Sequence, residues 1–368
     1  MKKKITIFIC LYFCFYSKFR SMDFIKLYKI KNFKILILCL IFILTFALLI
    51  TVNVILSWKI NCNDSNAQFI IPKGATVSQV SDSLYAKSCD FNGNAFKVGL
   101  YIMNKTKAIF PGKYELKGLS NIHDLIKLIT APSGKKIKVT IIEGWELYRI
   151  IKEIDSKMNI DAYKFEQLCK DHNFMSTLNI NAPSLEGFLF PDTYYFLSSS
   201  LEEDIIQVMT NQFFHHYDKS LQYFAKKLDM SMLEVVTLAS IIQGEAMFEN
   251  EMKKISSVYH NRLQKKMLLQ ADPTVQYAIP GKNIKLYYKH LKIDNPYNTY
   301  KYKGLPPGPI NSPGLEALKA AVMPLTTDYL YFVADGSGYH TFSKTIKQHN
   351  RAKKAFKLKL QKLKKKKK

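Results

Sequence analysis

The longest uninterrupted apolar run lies at residues 35–57, Ile-Leu-Ile-Leu-Cys-Leu-Ile-Phe-Ile-Leu-Thr-Phe-Ala-Leu-Leu-Ile-Thr-Val-Asn-Val-Ile-Leu-Ser, without one charged side chain. At about 1.5 Å per residue such a helix spans the roughly 30 Å hydrocarbon core of a bilayer. A signal peptide has a shorter apolar core and a small-residue cleavage site, so this segment reads as an uncleaved anchor. Trp58 suits the far interface. Lys26, Lys29, Lys31 and Lys34 crowd the near side, which predicts a cytoplasmic N-terminus. An earlier apolar stretch, 5–16, is too short to span, and Met1 and Met22 both remain open as the start.

Beyond the anchor the pattern changes. Residues 58–68 are polar and read as a linker. Residues 69–133 predict a small α+β module: a strand at Phe69-Ile-Ile71, a Pro-Lys-Gly turn, an amphipathic helix opening near Thr76, a second strand after Pro111-Gly112 and a helix over 121–130. A boundary falls at Ala131-Pro-Ser-Gly134. Residues 134–350 predict a mainly helical α+β domain. It begins with a strand over 136–142 and a helix ending near Lys157, continues helical to about residue 268, and becomes rich in Pro, Gly and Tyr over 270–345, with a short strand near 329–334. Residues 351–368 form a lysine-rich tail, either a solvated end or a contact for anionic lipid or envelope polymers.

Charge adds less than it first promises. The net charge of +25 is a nucleic-acid signature only until it is mapped. Residues 1–34 hold +8 of it and residues 351–368 hold +11, leaving +6 for everything between. A nucleic-acid-binding domain carries its charge on its folded part, so that function class is disfavoured. Six cysteines are present, and the three beyond the anchor (Cys62, Cys89, Cys169) lack metal-ligand spacing. Cys89 and Cys169 are compatible with a disulfide in an oxidising compartment, or with two small buried hydrophobes. No P-loop, dinucleotide fingerprint, nucleophile elbow or His-Glu-x-x-His is visible, which disfavours a metal or nucleotide enzyme.

The chemistry concentrates at one helix. Ser231-Met-Leu-Glu234 has capping-box spacing, and Val235–Ile242 is apolar almost all round, so the helix is expected to be buried. Glu245 follows four residues after Ile241 and seven after Leu238, at the end of one apolar stripe. Burial there raises a carboxyl pKa, and Glu249, one helical turn on, would raise it further as a like charge. A carboxyl still protonated near neutral pH can donate to a leaving group. Downstream, Gln270-Ala-Asp-Pro-Thr-Val-Gln276, Asn295-Pro-Tyr-Asn-Thr-Tyr300, Gly304-Leu-Pro-Pro-Gly308 and Asn311-Ser-Pro-Gly314 place aromatic and amide groups in loops. They read either as a groove for a sugar chain or as a proline-rich cap.

Eight stretches together resemble the endolytic murein transglycosylases, the MltG or YceG-like family of bacterial cell-envelope enzymes. They are Ile142-Glu-Gly-Trp145, Leu185-Glu-Gly-Phe-Leu-Phe-Pro-Asp-Thr-Tyr-Tyr-Phe196, Leu238-Ala-Ser-Ile-Ile-Gln-Gly-Glu245, Val258-Tyr-His-Asn-Arg-Leu263, Leu269-Gln-Ala-Asp-Pro-Thr-Val275, Tyr297-Asn-Thr-Tyr300, Gly304-Leu-Pro-Pro-Gly308 and Tyr331-Phe-Val-Ala-Asp-Gly336, collinear over 69–350. The resemblance implies an α+β fold with a LysM-like module ahead of the catalytic domain, held at the inner membrane with the catalytic domain outside the cytoplasm. It implies cleavage of the MurNAc–GlcNAc β-1,4 bond of nascent glycan strands to a 1,6-anhydro end, without metal or cofactor. Glycan strands and the membrane are the implied partners, with peptidoglycan synthases (penicillin-binding proteins) as possible ones and no nucleic acid.

The family carries two acids in Ala-Ser-Ile-Val-Glu-x-Glu. Here the first is Gln243, so Glu245 is the catalytic candidate. Gln270, Asp272, Thr274, Tyr297, Asn298 and Tyr300 are the expected groove residues, while Glu186 and Asp192 are favoured as internal hydrogen-bond partners. The competing reading is a non-catalytic peptidoglycan-binding scaffold for cell-wall synthesis enzymes, to which Gln243 lends some weight.

Overall fold

The computed structural model describes residues 33–62, 68–87, 89–116, 119–131, 135–279 and 286–366, so the basic segment before residue 33 lies outside the described residues. The chain divides into two units, Met1–Pro132 and Ser133–Lys368.

In the first unit, α1 (Phe33–Leu56) carries no charged residue after Lys34. Its part Ile37–Leu56 has mean hydropathy 2.8 and is long and apolar enough to cross a membrane. The module follows as β1 (Asn61–Cys62), β2 (Gln68–Ile71), α2 (Val77–Tyr85), β3 (Cys89–Asp90), α3 (Gly93–Ile102), β4 (Gly112–Glu115) and α4 (Ile122–Ile129). β1 pairs antiparallel with β3, and β2 with β4. Thr76 opens α2 through a capping box with Gln79, and Asn92 and Asn121 cap α3 and α4. Phe69, Val80, Leu84, Phe96, Leu100, Leu125 and Ile126 form the module core, with Ile55 and Leu56 of α1 packed against it.

Two expectations change here. The polar stretch 58–68 is no free linker at its start, because Lys59 bridges to Asn121 and Asn61–Cys62 pair with β3. Polar side chains face water while their backbone joins the ladder, and composition alone cannot show that. Cys89 pairs not with Cys169 but with Cys62, directly opposite it in the β1–β3 register. Cys169 is free and buried in the second unit, where burial pushes its thiol pKa up.

The second unit holds β5 (Lys136–Thr140), α5 (Leu147–Met158), α6 (Ala162–Leu168), α7 (His172–Thr177), β6 (Thr193–Leu197), α8 (Glu202–His216), α9 (Lys219–Lys227), α10 (Met232–Glu245), α11 (Glu249–Gln264), α12 (Asp272–Ala278), a 3-10 turn (His290–Lys292), α13 (Leu315–Val322), β7 (Tyr331–Ala334), β8 (His340–Ser343) and α14 (Ile346–Lys366). β5 pairs antiparallel with β6, and β7 with β8. Ser231 and Glu234 form the expected capping box at the start of α10, and every residue from Val235 to Ile242 is buried. α10 packs chiefly against α13, with α11 and α12 on its other sides. The lysine-rich stretch is not an irregular tail, since 351–366 continues α14. That helix is tied down where Lys359 Nζ donates to the Asp335 carbonyl and Phe356 lies over Gly336.

The disulfide closes a 27-residue separation, and cross-links of that size contribute about 3 kcal/mol by limiting the unfolded chain. Replacing Cys62 and Cys89 together by serine should therefore speed exchange of the α2 and α3 amides by about two orders of magnitude wherever exchange proceeds through module unfolding. Unchanged exchange would show that the bond does not hold the module. Alkylation of the unreduced, denatured chain should label Cys169 and leave Cys62 and Cys89 unlabelled.

Candidate active site

α10 ends at Glu245 because Ala246 turns to extended backbone. The eight preceding buried residues carry the carboxyl deep into the protein, yet Glu245 itself is only half-buried. It thus keeps part of its surface in contact with solvent. Tyr259 of α11 is fully buried and donates its hydroxyl to Glu245 Oε1 at 2.9 Å. One turn further along α11, Arg262 is also buried. Its Nε donates to the Leu330 carbonyl at 2.6 Å and its Nη1 to the carbonyls of Leu269 at 2.8 Å and Leu268 at 3.2 Å.

Burial raises the Glu245 pKa to about 7 and is the largest influence on it. The Tyr259 hydrogen bond opposes that rise, the Asp272 carboxylate adds to it, and Arg262 and the Asp272 main-chain N–H lower it. The expected like-charge neighbour was Glu249, but the break at Ala246 turns α11 away. Glu249 acts on Glu143 instead, whose pKa is raised first by burial and then by Glu249. The acid beside Glu245 is Asp272.

The expected groove residues divide by burial. Gln270 and Asp272 are exposed, and Asp272 Oδ1 accepts the Tyr300 hydroxyl at 2.6 Å. Tyr297 is half-buried against Tyr277, ring centroids 4.9 Å apart. Thr274 and Asn298 are buried, and their polar atoms are used internally. Thr274 Oγ1 donates to the Ala271 carbonyl, and Thr274 and Thr299 share a hydroxyl hydrogen bond. Asn298 Nδ2 donates to the carbonyls of Ile293 and Leu291, while its Oδ1 accepts from Tyr300 N–H. These two are buried parts of the frame that holds Asp272 and Tyr300.

Glu186 is buried and accepts from the Leu147 N–H, with the Tyr277 hydroxyl 3.4 Å away, so it braces the start of α5 from within. Asp192 is exposed and accepts from Gln212 Nε2. The proline-rich run 304–314 behaves largely as a cap. Residues 308–314 are buried, Ile310 N–H donates to Ser240 Oγ, and Asn311 Nδ2 donates to the Ser240 carbonyl. Gln243 lies on the opposite side of α10 from Glu245. Its Oε1 accepts the Gly314 N–H at 3.0 Å and its side chain hydrogen-bonds Glu143.

Tyr259 and Arg262 carry signals that sequence reading passed over. They sit three apart on α11, and a tyrosine within an apolar stripe needs a partner for its hydroxyl. Which partner it finds depends on the packing of α10 against α11.

The second unit is mainly helical, and its buried helix α10 ends on a carboxyl of raised pKa. The YceG-like family profile matches residues 69–355, and the chain belongs to that family. It is 37% identical over 305 residues to the endolytic murein transglycosylase of Bacillus subtilis, covering 78% of this chain and 83% of that protein. A Streptococcus pneumoniae protein of the same name is 29% identical over 299 residues, covering 72% of this chain and 53% of its own length. Among solved structures, a YceG-like protein of Listeria monocytogenes matches with a TM-score of 0.54 and 33% identity over 78% of this chain and 98% of that one.

Two measurements test the acid. If Glu245 works protonated, kcat/KM falls as pH rises through about 7. Tyr259→Phe removes a bond that lowers the pKa and should move that limb to higher pH. Asp272→Asn removes a charge that raises it and should move the limb lower. Shifts in the same direction would reject the assignment. Stability gives an independent reading. The folded-state pKa of about 7 lies above the ordinary 4.5, so the folded state holds this proton more tightly than the unfolded chain. Stability is therefore lost as pH rises from 4.5 to 7, by about 3 kcal/mol in all. Glu245→Gln should melt above the wild type at pH 8 and close to it at pH 4.5. A variant that melts lower at pH 8 would show that the carboxylate is not strained there.

Proposed function

We infer that this chain is a membrane-anchored endolytic murein transglycosylase, which cuts the MurNAc–GlcNAc β-1,4 bond of glycan strands and leaves a 1,6-anhydro end. Family membership and the Bacillus relative's name supply the substrate class. The observation that carries the chemistry is Glu245, a single carboxyl that is half protonated near pH 7 and still reachable from solvent.

One such group suffices if the substrate supplies its own nucleophile. Glu245 in its acid form protonates the glycosidic oxygen, and the C1–O bond to the next sugar breaks. The muramyl C6 hydroxyl attacks C1 from within the same sugar, and the Glu245 carboxylate takes the proton that this hydroxyl releases. The two transfers return the enzyme to its starting protonation state, and no water is consumed. A hydrolase of the usual kind needs a second carboxylate to activate water or to form a covalent link. Asp272 is the nearest in influence, and its engagement by Tyr300 suits a role in shaping the groove with Gln270 and Tyr297.

The first unit supports the rest of the reading. Two helices between the antiparallel strands β2 and β4 favour a LysM-like module. The positive flank before α1 favours a cytoplasmic N-terminus, and the Cys62–Cys89 bond favours an oxidising compartment for the module. The enzyme then works outside the cytoplasm, where membrane-bound synthases extend the strands.

The full chain in detergent, incubated with uncrosslinked glycan strands, should yield anhydro ends detectable by mass spectrometry, and Glu245→Gln should yield none. Ordinary reducing ends would make the protein a hydrolase and reject the one-carboxyl mechanism. Binding without cleavage would make it a scaffold.

A further inference from the structure

Immediately after Glu245 the chain exposes apolar surface that the acid chemistry does not use. Met247 is 74% exposed, Phe248 39% and Tyr339 37%. Tyr339 comes from the β7–β8 turn and stacks on Phe248 with ring centroids 4.4 Å apart and planes inclined by 22°. Apolar surface facing water is unfavourable, and a contiguous patch beside a catalytic group commonly serves a ligand.

The patch is built into place from both sides. Gly338 has φ +97°, and a Cβ there would lie 2.8 Å from the Phe248 ring and 3.3 Å from Met247 Sδ, so the turn approaches this surface as closely as glycine permits. The next residue along, His340, donates its main-chain N–H to Glu251 Oε1 at 3.1 Å, while its Nδ1 lies 2.9 Å from Oε2. Glu251 is buried on α11. Within the turn, Asp335 N–H donates to the Tyr339 carbonyl, and the Asp335 carboxylate accepts from Ser337. Both rings are thus fixed to α11, the helix that also supplies Tyr259. The three residues from Glu245 to Phe248 span at most about 11 Å of chain, so the platform lies within reach of a sugar whose neighbour meets the carboxyl.

We propose that Phe248 and Tyr339 form an aromatic platform that stacks against the C–H face of an amino-sugar next to the cleaved bond, with Met247 as its flexible edge. A pyranose presents a flat apolar face and equatorial polar groups, which matches the outer ring face of this rigid aromatic stack beside an acid. Stacking of this kind binds the strand in the ground state and in the transition state alike, so its loss appears in KM more than in kcat. The proposal rests on the transglycosylase reading, and its test separates the two.

In the full chain in detergent, with uncrosslinked glycan strands as substrate, Tyr339→Ala should raise KM by about five- to tenfold and leave kcat within about twofold. Tyr339→Phe keeps the ring and should restore the wild-type KM. Tyr163→Ala removes a still more exposed ring from α6 and should change neither constant. An unchanged KM in Tyr339→Ala, or Tyr339→Phe as impaired as Tyr339→Ala, would overturn the platform. Retention of strands on immobilised Glu245→Gln, with and without Tyr339→Ala, decides the matter without cleavage. A several-fold loss of retention supports the platform even if no anhydro ends ever form, and equal retention rejects it.

Discussion

Taking a carboxyl group out of water disfavours its charged form, and much of the second unit is arranged around that constraint at Glu245. α10 is buried on all sides from Val235 to Ile242, so the group at its end is largely withdrawn from solvent. A carboxylate in such a place is costly unless it is paired, and the cheapest remedy would be a direct ion pair with the nearby Arg262. The structure spends that guanidinium elsewhere, on three main-chain carbonyls. Arg262 therefore tempers the acid without discharging it. Tyr259 provides a hydrogen bond that favours the carboxylate, and Asp272 supplies a like charge that disfavours it. The outcome is a pKa of about 7, at which a carboxyl gives and retrieves a proton with comparable ease near neutral pH.

That balance depends on parts that never touch the acid. Asp272 influences Glu245 only if the start of α12 is fixed, and Thr274, Thr299 and Asn298 fix it with a closed set of buried hydrogen bonds. The capping run 308–314 seals the other flank of α10 through Ser240. Gly187, at φ +83°, lets the chain pass so near Pro309 that a Cβ would fall 2.6 Å away. Polar residues are dense here because buried loop backbone needs partners, as much as because substrate needs contacts.

This explains what could be read from the sequence and what could not. Local signals held, since a capping box or an apolar stripe is decided by residues within one turn of each other. The Ser231–Glu234 box, the helix start near Thr76 and the placement of Glu245 at the end of a buried stripe all follow from such spacing. Readings that needed a direction or a distant partner did not hold. Thr274 and Asn298 have the composition of groove residues but point inward. Cys89 has two cysteines within the outer region, and only the β1–β3 register chooses Cys62. Glu249 is one turn from Glu245 only along a continuous helix, and the extended backbone at Ala246 interrupts it. Phe248 and Tyr339 lie far apart along the chain, and their stack exists only once the β7–β8 turn meets α11.

Gln243 is where the sequence most invited a different conclusion, because an amide replaces an acid of the family's paired pattern. Two residues along a helix turn a side chain by about 200°, so Gln243 and Glu245 face opposite ways and do separate work. Gln243 accepts the N–H of Gly314 at the mouth of α13 and hydrogen-bonds Glu143, whose carboxylate lies so close over Gly314 that a Cβ there would be 1.8 Å from it. Glu143 already has its pKa raised by burial, Glu249 and Glu316. A third neighbouring carboxylate at position 243 would add like-charge repulsion there, while an amide both donates to Glu143 and accepts from Gly314. Gln243 thus fixes Gly314 and Glu143 on the far side of α10, apart from Glu245 and its partners on α11 and α12.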